Sequence, residues 1–261
     1  MSTNIFSAKR FSLLFRQHII HNGQFLLFST GAYVGVVFIV LSVLQMSENL
    51  RPHNVGHFQD LLAVVFIGFG ILYVGHAFPA FRSKESTISY LMVPASALEK
   101  FVFEFVSRIC IALVTLPLLY WLTFNIQGYF FEIFSDEIFR PVGIQYLVKL
   151  DVPPDLSLAL YSMIAGGILL GLSLAFTGAA MFTKQPLVKS LFALAMLVIF
   201  FVGYSYLVVV HLGVGEFNPP DHTVLVPMNE DQGFKMLTVA FFASAGVMLF
   251  VAFRKLKERE V

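Results

Sequence analysis

The chain has 261 residues, of which 57% are hydrophobic and 13% charged, with 30 phenylalanines and a net charge of +1; its mean hydropathy is +0.80. Soluble domains carry about 25% charged residues, so a water-exposed globular surface is excluded and the composition points to an all-α polytopic membrane protein. The small net charge excludes the basic field that a nucleic-acid partner requires, and a lone cysteine, Cys110, excludes an intramolecular disulfide and reads as packing within an apolar run.

Residues 1–24 are polar or amphipathic, with no small-residue cleavage motif after a short apolar core, so no cleavable signal peptide is expected. Within KRFSLLFRQHIIH, Phe11, Leu14, Phe15 and Ile19 share one helical face, while Lys9, Arg16, Gln17 and His21 lie largely elsewhere. Two readings are open. One is an amphipathic helix lying in the inner interface against lipid headgroups. The other is a basic tail that only sets topology.

A bilayer core of about 30 Å takes roughly 20 apolar residues as a helix. Six segments meet that length: Phe25–Met46, Leu61–Phe81, Phe101–Phe124, Leu156–Phe182, Leu187–His211 and Met236–Phe253. With the N-terminus inside, 13 Lys and Arg residues fall on the inner side and only Arg51, Arg140, Lys149 and Lys235 on the outer side. The long loops around 126–155 and 212–235 are then external and acidic, and RKLKER returns to the inside. The positive-inside rule therefore predicts cytoplasmic N- and C-termini. The organisation is an interface helix over 1–24, a six-helix membrane domain over 25–253 and a basic tail over 254–261. No repeat of 20–50 residues is visible.

A cytoplasmic segment, 82–100, separates spans two and three, and contains YLMVPASALEKF. Ser83 is placed to cap a short helix over Lys84–Leu91. Pro94 disfavours helix at Val93 and forces a break. Ser96 stands three residues before Glu99 and just ahead of an apolar run. That spacing is a capping box: the serine oxygen accepts from the N3 amide and the glutamate reaches back to the cap amide. Helix three is expected to start at about Ala97.

Inside span three, Glu104 and Arg108 stand four residues apart in the favourable order. They read either as a pair that neutralises itself near the inner interface or as a contact to a partner subunit. Pro117 is expected to kink the same span. Span four carries Gly167, Gly171, Ala175 and Ala179 at four-residue steps, a face for internal packing or for a dimer. His76 reads as interfacial and Asp60 as an acid at a helix N-terminus. The stretch YFFEIFSDEIFRP suits a short amphipathic helix on the outer surface. GxxxxGK[ST], HExxH and CxxC are all absent, so no nucleotide or metal site stands out. His53 and His57 are four apart in a short external loop, a spacing that reads as chance.

A basic amphipathic N-terminal helix, two spans, the segment reading YLMVPASALEKF and four further spans together resemble the membrane subunit, or permease, of type-2 ATP-binding cassette (ABC) transporters. The YLMVPASALEKF wording is similar to that of permeases from Bacteroidetes-type bacteria. The resemblance implies an exporter half in the bacterial inner membrane, multi-pass and in contact with membrane lipids. It has no catalytic site of its own; ATP and Mg would be bound by separate ABC-type ATPase subunits, and a second permease copy or similar permease would complete the pore. It further implies a coupling helix at Lys84–Leu91, with Arg82, Lys84, Glu85, Ile88, Tyr90 and Leu91 meeting the ATPase, while Pro94, Ser96 and Glu99 hold the start of helix three. Family members place short helices before span six; Gly213–Lys235 has the length, but Pro219 and Pro220 interrupt it. Two other functions fit the composition. An ion-coupled secondary transporter wants acids at mid-membrane, and spans one, four, five and six have none. A non-transporting scaffold subunit is the other.

Overall fold

A computed structural model of the chain describes residues 7–46, 55–82, 84–93, 95–133, 143–149, 154–211 and 230–259. The described residues are helical, without a strand: α1 (Ala8–Met46), α2 (Val55–Val74), α3 (Lys84–Met92), α4 (Ala97–Phe105), α5 (Ile111–Glu132), α6 (Ile144–Val148), α7 (Pro154–Met181), α8 (Pro186–His211) and α9 (Glu230–Arg259). A 3-10 turn over Pro79–Arg82 leads toward α3, and a π-helical turn over Val106–Cys110 joins α4 to α5. Among the described residues, four stretches are long and apolar enough to cross a membrane: Leu26–Leu44, Ala97–Glu132, Leu156–Met181 and Gln232–Arg259. α2 and α8 hold shorter apolar stretches, Phe58–Val74 and Pro186–Met196.

Several boundaries differ from the sequence reading. From Ala8 onward no break separates the expected interface helix over 1–24 from the first span; α1 runs through both, 39 residues long. At 1.5 Å per residue that is about 58 Å, well beyond a hydrocarbon core of about 30 Å. The second apolar segment, expected over 61–81, is helical over Val55–Val74. Beyond its end the amides of His76 and Ala77 donate to the Tyr73 and Val74 carbonyls in turns, and Phe78 takes a left-handed φ of 52° immediately before Pro79. Proline disfavours right-handed helix at the residue before it. A left-handed non-glycine costs roughly 1–2 kcal/mol. Burial of the Phe78 ring, stacked on Phe81 and 5.0 Å from Phe176, holds it there.

The third segment, expected over 101–124, runs on to Glu132. Pro117, which lacks the amide for an i→i−4 bond, lies inside α5 without ending it, and a π turn over Val106–Cys110 precedes that helix. The expected basic tail over 254–261 is helical as far as Arg259, where Leu256 is buried and Lys255 pairs with Glu258 at 2.7 Å. Ser83, Pro94, His53, residues 134–142 and residues 212–229 lie outside the described residues.

In lipid, helices gain little from apolar burial against one another; close approach at small residues and interhelical hydrogen bonds hold them instead. α7 and α9 pack along much of their length. Ala175, Ala179, Ala180, Ala245 and Ala252 are buried, and Thr177 Oγ1 donates to the Met248 carbonyl at 2.9 Å. α1, α2 and α5 are tied similarly: Tyr33 Oη donates to the Leu116 carbonyl at 3.0 Å and Tyr120 Oη to the Phe58 carbonyl at 2.9 Å. The tightest approach at a glycine of α7 is Gly178, where an added Cβ would lie 2.4 Å from Ser190 Cβ of α8.

Gly178→Val is expected to lower stability by about 1–3 kcal/mol through overpacking. Gly171 has nothing within 4 Å of an added Cβ. Gly171→Ala is expected to raise stability by about 0.5–1 kcal/mol. Thermal unfolding of the detergent-purified chain checks both; the opposite order would mean that α8 does not rest on α7 at Gly178.

Candidate functional site

The segment 82–100 is built around Glu99, which is fully buried. Its first partner is local: Ser96 Oγ accepts from the Glu99 amide at 3.2 Å, and Glu99 Oε2 accepts from the Ser96 amide at 2.8 Å, a capping box at the start of α4. Its second partner is remote. Glu99 Oε1 accepts from the Ser7 amide at 2.7 Å, at the amino end of α1, and pairs with Arg10 at 3.1 Å. One carboxylate therefore serves the unsatisfied amides at two helix N-termini, where negative charge is favoured. Beyond it, Phe103 of α4 packs edge-on against Phe11, Phe15 and His18 of α1, with centroids 6.3, 6.1 and 5.3 Å apart.

α3 is attached through aromatic and cation contacts. Tyr90 meets Phe81 edge-on at 5.5 Å and lies 5.2 Å beneath the buried Lys100 ammonium. Thr87 Oγ1 donates to the Ala80 carbonyl at 3.0 Å. Phe81 carries the Arg259 guanidinium at 4.6 Å, and Arg259 Nη2 donates to the Met181 carbonyl at 3.2 Å. The opposite face of α3 is open: Glu85, Ile88 and Met92, spaced i, i+3 and i+7, are exposed, the last two at 58% and 79%. Arg82 ends the 3-10 turn, Lys84 opens α3 and Leu91 lies in its last turn.

Glu104 and Arg108 come together, both buried, with Arg108 Nε 3.6 Å from Glu104 Oε2 across the π turn. Glu104 also accepts from the Phe78 amide. Arg108 lies 5.2 Å from the Tyr73 ring, and Tyr73 Oη donates to the Ser107 carbonyl at 3.0 Å. Single-turn π segments inside α-helices occur frequently at functional sites. The span-four stripe faces inward: Ala175 is buried, and an added Cβ at Gly167 would meet Phe241 of α9 at 3.7 Å. Gly171 lines a cavity of about 90 Å³ between α2 and α7.

Sequence spacing alone pairs Ser96 with Glu99 and Glu104 with Arg108. It does not reach Ser7, Arg10, Tyr73, Phe78, Lys100 or Arg259, which arrive from distant parts of the chain. Lys100 and Arg259 carried one signal, a cation beside an apolar run; Pro79 marked a break at Phe78 but not its contacts, and Ser7 carried none. Among the described residues, no group of three or more His, Cys, Asp or Glu could hold a metal ion. The chain matches no protein-family model, no curated protein and no solved structure.

Ser96→Ala is expected to cost about 1 kcal/mol, the worth of one cap. Glu99→Ala removes the partners of two helix ends and of Arg10, and is expected to cost about 2–4 kcal/mol. Hydrogen exchange should also speed up at the Ser7 amide in the second variant. Equal losses in the two variants would mean that Glu99 acts through the α4 cap alone.

Proposed function

We propose that the chain is the membrane-spanning permease subunit of an ABC exporter in a bacterial inner membrane. In this reading it has six spans, α2 and α8 supplying the second and fifth, with both termini in the cytoplasm. ATP and Mg are held by separate ATPase chains, and a second permease copy or similar permease completes the path. The observation that carries the reading is α3: a short separate helix between two apolar helices, clamped on one face and open at Glu85, Ile88 and Met92 on the other.

The physics of coupling follows from those attachments. A push on α3 reaches α4 through Tyr90 and Lys100, and α9 through Phe81 and Arg259. α4 cannot yield alone, because Glu99 ties its first turn to the start of α1. Movement at the docking face therefore becomes movement of α1, α9 and the Ala97–Glu132 stretch together.

Affinity-tagged chain purified from its native membrane is expected to bring down a P-loop ATPase. Ile88→Asp and Met92→Asp should reduce that recovery at least tenfold while leaving the thermal stability of the chain unchanged, since both side chains are exposed. Reporter fusions after residues 90 and 261 should both read as cytoplasmic. Retention of the ATPase by both variants, or an external reading at residue 90, would sink the assignment of α3.

A further inference from the structure

A cavity of about 580 Å³ lies between α1, α2 and α5. That is within the roughly 300–1,000 Å³ range of small-molecule sites. Each helix lines it with one stripe: Leu26 to Tyr33 on α1, Phe69 to Tyr73 on α2, and Ile111 to Leu119 on α5, with His76 from the turn after α2 and Arg108 from the π turn. From Arg108 to Leu119 the wall is about 16 Å long. Leu72 and Leu118 on the wall are half exposed, which leaves an apolar rim.

The polarity of this wall is confined to one end. The hydroxyls of Ser29 and Thr30 both donate to the Leu26 carbonyl at 2.9 Å, and Thr115 Oγ1 donates to the Ile111 carbonyl at 2.8 Å. The Tyr33 and Tyr73 hydroxyls are likewise turned to the backbone carbonyls of Leu116 and Ser107. Arg108 and His76 differ. His76 Nδ1 is 2.8 Å from the Leu72 carbonyl, so that nitrogen is the donor and Nε2 donates to an anion only as the imidazolium. Arg108 is only 5% exposed, yet its Nε has no hydrogen-bond partner. Glu104 approaches that Nε at 3.6 Å but does not line the cavity. A guanidinium carries five donors in a planar fork that matches a carboxylate or phosphate, so a ligand at this end would share Arg108 with Glu104 and Tyr73. His76 also lines a wider opening at the turn between α7 and α8, beside Lys184 and Lys189, so the polar end adjoins further positive charge.

We propose that this cavity holds an anionic lipid of the surrounding bilayer, with an acyl chain along the α1–α2–α5 wall and the charged head against Arg108 and His76. An apolar slot that ends in a buried, under-bonded cation matches an acidic amphiphile: a zwitterionic lipid brings a second, positive charge to Arg108, and a free anion leaves the slot unfilled. Basic pockets between membrane helices are recognised sites for acidic headgroups. This assignment does not depend on an ATPase partner.

The test uses the full chain in phosphatidylcholine nanodiscs, with phosphatidylglycerol or phosphatidylcholine carrying a photoreactive group on the same acyl chain. Crosslinks from phosphatidylglycerol are expected at α2 and α5 residues of the cavity, at least tenfold above those from phosphatidylcholine. Arg108→Gln should abolish that preference, and Arg108→Lys should retain part of it. Because Arg108→Gln removes a partner of buried Glu104, Leu119→Trp serves as a second variant: it fills the apolar end, keeps the ion pair and should lower crosslinking about tenfold. Equal labelling by the two lipids would overturn the proposal, as would unchanged labelling in a folded Leu119→Trp chain. Competition by inorganic phosphate alone at millimolar concentration would also overturn it, by showing that the head group without a chain suffices.

Discussion

A buried carboxylate has to recover from the protein the hydrogen bonds it gave up to water. Glu99 recovers them at the amino ends of two helices that are far apart in sequence. The Ser96 amide and the Ser7 amide each donate to one of its oxygens, and Arg10 supplies the opposite charge. Local capping and long-range docking are thereby one interaction. The carboxylate that caps α4 with one oxygen presents the other to the amino end of α1. The aromatic contacts of Phe103 then extend the joint along α1.

The rest of the same edge is arranged around that joint. Phe78, beyond the end of α2, adopts a left-handed backbone, donates its amide to Glu104 and stacks its ring on Phe81. Phe81 in turn lies between Tyr90 of α3 and Arg259 of α9. Cations recur here over aromatic faces: Lys100 on Tyr90, Arg108 on Tyr73 and Arg259 on Phe81. Such contacts strengthen as water is removed, reaching about 2 kcal/mol when desolvated. A chain with few charges thus places several of them where aromatic rings take over part of the role of solvent. The apolar outer faces of the long helices need no such arrangement, because lipid is as apolar as they are.

The π turn has a consequence of its own. A wider helical turn over Val106–Cys110 shifts the register of α5 relative to α4. Arg108 falls within it and reaches Glu104, Tyr73 and the cavity wall. The ion pair and the cavity therefore share one residue: the Arg108 that pairs with Glu104 at 3.6 Å also lines one end of the slot.

Much of the architecture was legible from composition and short-range spacing, because those depend on neighbours within a few residues. The apolar runs locate the helices, and the Ser96–Glu99 interval places the start of α4 at Ala97. The Glu104–Arg108 interval brings an acid and a base to one side of a helix. Boundaries were less legible. α2 ends at Val74, short of the expected Phe81, and α1 continues through residue 24 with its first half packed against Phe103. The second oxygen of Glu99 was invisible, since its donor lies 92 positions away. By itself the sequence determined that the chain is helical and membrane-like, and which side chains are placed to cap and pair locally. Only the tertiary structure decided what those groups do next, because the partners of Glu99, Lys100, Arg108 and Arg259 are chosen by packing between helices rather than by spacing along one of them.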